Sequence, residues 1–280
     1  MSLEETFVIK EPVKYVPQGK ELEIAMACIK RSYPLMLRGP TGCGKTTLAM
    51  YLAHQEGLPF ISLTCNEDTD PGDFIGRYTT EGYVDGRAAT AFKCKNGAIL
   101  YIDEIGEARQ DAIVVVHSMT DDRRQLENPL RNEVYAAPNK FLVVASYNPG
   151  YQLQNKLKPS TMQRFVTIDL EFPAEEQEVR IVLEKNQYLT RLPVLVRTAV
   201  SEEVITQLVQ LAHDFRKMAQ SREAGLKEGP GTRLVVRTKG LIEEGIEVKT
   251  AIKAGMINPL THKLEVKETM EELLNSRFGT

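Results

Sequence analysis

Gly39-Pro40-Thr41-Gly42-Cys43-Gly44-Lys45-Thr46 is the stretch that decides the fold. Before it, residues 34–37 form a short apolar run. After it, Thr46-Thr47-Leu48-Ala49-Met50-Tyr51-Leu52-Ala53 has helical spacing, so the loop lies between a strand and a helix. In that setting the pattern GxxxxGK[ST] reads as a Walker A phosphate loop. Its glycines let backbone N–H groups wrap a β-phosphate, Lys45 reaches the β/γ oxygens, and the Thr46 hydroxyl ligates Mg²⁺. Gly39, Pro40, Thr41, Gly42, Cys43, Gly44, Lys45, Thr46 and Thr47 are therefore the candidate residues for binding ATP.

Outward from the loop, the runs 60–64, 98–102, 141–146 and 166–171 read as buried strands, being short, rich in β-branched or aromatic residues and separated by helix-length segments. Apolar positions 22, 25, 26 and 29 predict a helix over 21–31. This alternation implies a parallel five-stranded sheet flanked by helices. Ligands bind such sheets at the carboxyl ends of the strands, where the loop at 39–46, Asp103-Glu104 and Asn148 all fall. Ala98-Ile99-Leu100-Tyr101-Ile102-Asp103-Glu104 has the form of a Walker B strand, with Asp103 ordering the Mg²⁺ shell and Glu104 polarising water for hydrolysis. Asn148 follows the next strand and is placed to bridge the attacking water and the γ-phosphate, although Asn148-Pro149-Gly150 is turn chemistry in its own right.

Beyond residue 172 the pattern becomes helical. Phe172-Pro173-Ala174-Glu175-Glu176 looks like a helix start, and Ser201 is an N-cap for a helix with apolar positions 204, 205, 208, 211, 212, 215 and 218. The expected division is an α/β nucleotide-binding core over 1–172 and a helical lid over 173–280, with 221–231 as a mobile loop. A length of 280 residues, 42% hydrophobic and 26% charged, suits two such globular parts. Lys and Arg total 35 against 38 Asp and Glu, a net charge of −3, which gives no global pull toward nucleic acid or anionic lipid. No apolar run approaches the ~18–20 residues of a spanning helix, and Met1-Ser2-Leu3-Glu4-Glu5 lacks the pattern of a signal peptide, so a cytoplasmic protein without membrane insertion is expected. Cys28, Cys43, Cys65 and Cys94 have no metal-ligand spacing and read as reduced, buried thiols. Cys43 sits where loop dipoles could lower a thiol pKa, or is a small filler.

Walker A, an Asp-Glu Walker B, an Asn after the next strand, Gln163-Arg164-Phe165 before the fifth strand and a helical lid together resemble an AAA+ ATPase. Cys65-Asn66-Glu67-Asp68, Gly76-Arg77-Tyr78, the run from Asp103 to Asp111, Ser146-Tyr147-Asn148-Pro149-Gly150-Tyr151-Gln152 and the run from Lys158 to Phe165 resemble the CbbQ/NirQ/NorQ subgroup of MoxR ATPases, CbbQ most of all. The resemblance implies a homo-oligomeric, hexameric ring with ATP and Mg²⁺ between subunits. It assigns Arg164 as the arginine finger reaching a neighbour's γ-phosphate, although a helix-end Arg in a salt bridge is the plain alternative. It assigns Arg233 as the sensor 2 arginine, with Arg237 one turn away as the alternative. It also makes 66–96 a helix 2 insert and 121–140 a pre-sensor 1 hairpin. Phe74-Ile75 and Tyr83-Val84 are then either exposed tips for a client or adaptor, or pairs that pack locally. Arg123-Arg124 either approach a neighbouring nucleotide or form a charged turn.

The same resemblance implies a partner with a von Willebrand factor A domain, CbbO-like or NorD-like, and a client enzyme. Rubisco activation is the leading expectation, and nitric oxide reductase maturation, as for NorQ and NirQ, is the alternative. Two readings of other classes are a nucleic-acid-acting AAA+ ring, which the charge disfavours, and a non-hydrolysing nucleotide-dependent scaffold, which Glu104 disfavours.

Overall fold

The computed structural model describes residues 3–149, 157–184, 199–221 and 225–279. Gly150-Tyr151-Gln152 of the family-like string, and residues 222–224 of the expected loop, lie outside them. The chain forms two compact units, Met1–Pro40 with Gly44–Leu170, and Thr41–Cys43 with Glu171–Thr280.

In chain order the first unit contains α1 (Leu3–Phe7), α2 (Glu21–Arg31), β1 (Leu35–Arg38), α3 (Lys45–Glu56), β2 (Phe60–Thr64), α4 (Pro71–Ile75), β3 (Gly76–Thr79), β4 (Gly82–Asp85) and α5 (Arg87–Phe92). It continues with β5 (Ile99–Asp103), α6 (Gln110–Thr120), β6 (Gln125–Asn128), β7 (Glu133–Ala136), β8 (Leu142–Tyr147), α7 (Pro159–Met162) and β9 (Val166–Asp169). Five parallel strands form the main sheet in the order β2-β5-β8-β1-β9. Leu35, Met36, Leu37, Leu100, Ile102 and Val144 are wholly buried. Helices cover both faces of such a sheet, so the central strands β5, β8 and β1 are buried along nearly their whole length, whereas the edge strands β2 and β9 keep exposed positions. Each of these side chains contributes roughly 1.5–3 kcal/mol by leaving water.

Strands expected at 34–37, 98–102 and 141–146 each begin and end one residue later. Pro34 has no N–H to give the ladder and supplies only its carbonyl, which accepts from Val166 N at 2.8 Å. At the other end Asp103 stays in the strand because it pairs with Thr64. The register aligns Arg38 with Tyr147 and Ile102 with Ala145, which brings the carboxyl ends of β1, β5 and β8 to one edge.

Residues 66–96 hold α4, the antiparallel β3–β4 pair and α5, and 121–140 hold the antiparallel β6–β7 pair. The two hairpins touch. Asn128 Nδ2 donates to the Tyr83 hydroxyl at 2.7 Å, Tyr83 donates to the Ile75 carbonyl at 3.1 Å, and the Arg131 guanidinium lies 5.2 Å from the Tyr83 ring centroid. Phe74 is no exposed tip. It is completely buried in the main core, with Ile75 packed against that core, because the Asp70 capping box turns α4 so that Phe74 faces inward. Val84 is exposed and Tyr83 half-buried. Arg123 pairs with Asp121 at 2.8 Å, and Arg124 Nη2 donates to the Phe141 carbonyl at 3.1 Å.

The second unit comprises α8 (Glu175–Glu184), α9 (Glu202–Gln220), α10 (Thr232–Glu243), α11 (Val248–Ile252), a π-helical turn (Lys253–Ile257) and α12 (Leu264–Phe278), with no strand among its described residues. The Ser201 hydroxyl accepts from Val204 N at 3.3 Å and caps α9 as expected. Leu208, Leu211, Phe215, Val235 and Met270 form its apolar centre. Inside lies one polar knot on Glu178, a residue with no exposed surface. Arg216 grips its carboxylate with two bonds of 2.6 and 2.7 Å, while Thr232 Oγ1 donates at 2.7 Å and His213 Nε2 lies 3.0 Å away. Arg216 Nε also donates to the Pro230 carbonyl at 2.8 Å, so α8, α9 and the start of α10 share one buried ion pair.

Candidate active site

The phosphate loop leaves β1 with Gly39 N still donating to Tyr147 O at 3.1 Å, which ties it to the end of β8. Gly42 and Gly44 adopt φ of 79° and 107°, a region that other residues enter only with strain. Gly44 is the N-cap of α3 and offers no side-chain oxygen, so the first-turn N–H groups of this 12-residue helix receive no side-chain cap. That arrangement suits an anion. Lys45 is buried, and its Nζ donates to the Gly39 and Pro40 carbonyls at 2.7 and 2.8 Å. Thr46 and Thr47 follow in the first turn, and Cys43 is buried in the loop.

The acidic pair at the end of β5 belongs to a continuous chain of hydrogen bonds. Ser146 Oγ donates to Asp103 Oδ1 at 2.6 Å and accepts from Glu104 N at 2.8 Å. Glu104 itself takes a left-handed conformation, φ 56° and ψ 47°, before a 3₁₀ turn at Ile105–Glu107. Such a conformation costs a non-glycine residue of the order of 1–3 kcal/mol. Asn148 Nδ2 donates to Glu104 Oε1 at 3.3 Å, while Asn148 Oδ1 is buried with no partner. The acids mark their surroundings electrically. The neighbouring Cys65 thiol is pushed up to about 12, first by burial and then by the charges of Asp103, Asp73 and Glu104.

Arg164 lies elsewhere. It lies two residues before the start of β9, whose first residue Val166 pairs with Leu35 at the start of β1, whereas the phosphate loop follows the other end of β1. The two are separated by the length of that strand, about 13 Å at roughly 3.3 Å per residue. Arg164 Nη1 donates to the Ser160 carbonyl at 2.5 Å, and its Nε is buried without a partner. Burial and the Arg164 and Lys158 charges hold the nearby His117 below its ordinary pKa. In the second unit Arg233 and Arg237 are both exposed on one face of α10, and the Glu178 knot fixes the helix start through Thr232.

Residues 34–165 match the AAA domain of the dynein-related subfamily, and residues 194–277 match the CbbQ/NirQ/NorQ C-terminal domain. Protein NorQ of Paracoccus denitrificans is 40% identical over 271 residues, covering 95% of this chain and 94% of that one. The chain belongs to the CbbQ/NirQ/NorQ family of MoxR-type AAA+ ATPases. Protein CbbQ of Hydrogenophilus thermoluteolus is 36% identical with 100% of both chains covered, and the denitrification regulatory protein NirQ of Pseudomonas aeruginosa is 36% identical over 88% of this chain and 90% of that one. A Thermotoga maritima RuvB mutant shares the AAA+ fold with a TM-score of 0.53 at 20% identity, covering 96% of this chain and 74% of that one.

For this family the fold implies a nucleotide with a metal, and the residues present fit both. Thr46 Oγ1 and Asp103 Oδ1 converge on the Tyr101 hydroxyl at 3.0 and 2.9 Å. The described residues contain no group of three or more His, Cys, Asp or Glu suited to a metal. Thr46 and Asp103 are the residues that would hold a cation here, the sparse ligation that Mg²⁺ takes beside phosphates. No helix among the described residues is long and apolar enough to cross a membrane. Sequence reasoning missed Tyr101, Ser146 and the Glu178 knot. Tyr101 left a usable signal, since side chains two apart share a face of a strand and Tyr101 must therefore point with Asp103.

Proposed function

We propose that this protein hydrolyses ATP in a homo-oligomeric, hexameric ring and uses the cycle to remodel or activate a client enzyme. The observation that carries this reading is the unbroken chain Thr46–Tyr101–Asp103–Ser146–Glu104–Asn148 at the carboxyl edge of the sheet, beside the phosphate loop. Backbone N–H groups of the loop and the start of α3 hold the phosphates, and Lys45 exchanges the Gly39 and Pro40 carbonyls for β/γ oxygens. Thr46 and Asp103 hold Mg²⁺, which supplies neutralisation of the phosphate charge. Glu104 takes the proton of the attacking water, and Asn148, bonded to Glu104, orients that water with its second amide atom. Arg164, at the far edge of the sheet from its own phosphate loop, acts on the neighbouring subunit's γ-phosphate. Arg233 serves as the lid's sensor, with Arg237 as the alternative on the same helix face.

Glu104→Gln is expected to keep nucleotide affinity and to stop turnover, as read by equilibrium binding beside phosphate release; an active Glu104→Gln ring ends the hydrolysis assignment. Arg164→Ala is expected to be inactive alone. Mixed with Glu104→Gln it should recover part of the activity, because some interfaces then hold both intact groups.

The partner proposed is a von Willebrand factor A domain protein, CbbO-like or NorD-like, and the client is Rubisco. A second reading, maturation of nitric oxide reductase, is supported by the 40% identity to NorQ against 36% to CbbQ. Capture from native lysate on the Glu104→Gln trap separates them. Rubisco with a large von Willebrand-type partner supports the first, and a membrane-bound reductase supports the second.

A further inference from the structure

We propose that Tyr101 is a positioning residue that orients the Thr46 hydroxyl and the Asp103 carboxylate toward the catalytic divalent cation. The inference rests on the ATPase reading above. Tyr101 has 1% of its surface exposed, and its ring stacks on Phe60 at 5.5 Å, so the phenol direction is fixed by packing on the strand. Its hydroxyl lies 3.0 Å from Thr46 Oγ1 and 2.9 Å from Asp103 Oδ1.

With Asp103 ionised, the hydrogen bonds of Tyr101 to Thr46 and Asp103 run in one direction. An ionised carboxylate only accepts, so Tyr101 donates its single proton to Asp103 Oδ1. The phenol oxygen is then the acceptor, and Thr46 gives its proton to it. A hydroxyl that ligates a cation must turn a lone pair to the metal and its hydrogen away, and Tyr101 supplies the place for that hydrogen. Asp103 Oδ1 is occupied by Tyr101 and Ser146, which leaves Oδ2 to face a cation. One hydroxyl therefore sets the orientation of both protein ligands, the role that hydrogen-bonding partners of ligands play in many metal sites.

The test is Tyr101→Phe, which preserves the ring and its stack on Phe60. Binding of a fluorescent ATP analogue is measured in EDTA and over a Mg²⁺ titration, for wild type and variant. The expected result is unchanged affinity in EDTA and a Mg²⁺ concentration for half-maximal tightening raised about tenfold, within the range seen when a ligand's supporting partner is removed. The EDTA measurement guards against misfolding, since a damaged loop loses affinity there too. A variant within twofold of wild type in its Mg²⁺ requirement, or one that tightens at lower Mg²⁺, overturns the proposal. Loss of affinity in EDTA also overturns it, because Tyr101 is then structural. Wild type that binds no nucleotide, or shows no Mg²⁺ effect, overturns the ATPase reading together with the proposal.

Discussion

Asn148 shows how a single side chain here is built for a state other than the one it rests in. A buried carbonyl oxygen without a partner costs roughly 1–3 kcal/mol, and Asn148 Oδ1 is such an atom beside the Glu104 carboxylate. Asn148→Ala removes both the orphan and the orienting amide. It is expected to lower kcat on the order of 10²-fold with nucleotide Kd little changed, in the range for loss of one preorganised polar group. His117 offers a second probe at this scale. Burial holds its pKa down first, and the Arg164 charge adds to that, so Arg164→Ala should raise the His117 titration midpoint, as followed by NMR of the imidazole C–H. An unmoved midpoint would mean that Arg164 faces away from α6.

Among elements, the three helices joined at Glu178 carry the clearest energetic prediction. Burial alone would raise the Glu178 pKa, but the bonds from Arg216, His213 and Thr232, with the Arg216 charge, outweigh it and hold the carboxyl below the usual range. A carboxylate with a depressed folded pKa stabilises fully above its unfolded value, about 4.3, and loses that contribution as pH falls through the folded value. Thermal unfolding of the helical unit should therefore weaken only below about pH 4.3 on account of this group. Glu178→Gln strands Arg216 in the interior and is expected to cost about 3–5 kcal/mol in chemical denaturation. On the sheet side, Leu100→Ala at a wholly buried central-strand position should cost about 2–5 kcal/mol. The hairpins differ from both. Tyr83, Asn128 and Arg131 join β4 to β6 and the turn after it through a hydrogen bond and a ring face.

For the whole molecule, the legible part of the sequence was the part whose chemistry is local. Gly42, Gly44 and Lys45 announce themselves because a loop that wraps phosphate admits few other residues, and the central strands announce themselves because a sheet covered on both faces is apolar at its centre. Ser201 was readable because a cap acts within four residues. What stayed hidden was pairing across long chain separations, such as Arg216 with Glu178, 38 residues apart, or Ser146 with Asp103, 43 apart. Phe74 stayed open between an exposed tip and local packing because nothing in a five-residue helix tells which side meets the core.

The placement of Arg164 before β9 and the phosphate loop after β1 has a consequence for solution behaviour. On the proposed reading, one subunit carries two half-sites that face different neighbours. Its specific activity should then rise with protein concentration and collapse on dilution, while bound nucleotide per chain falls far less. Catalysis would act as a gauge of assembly, silent in newly made or dispersed subunits and switched on by association itself.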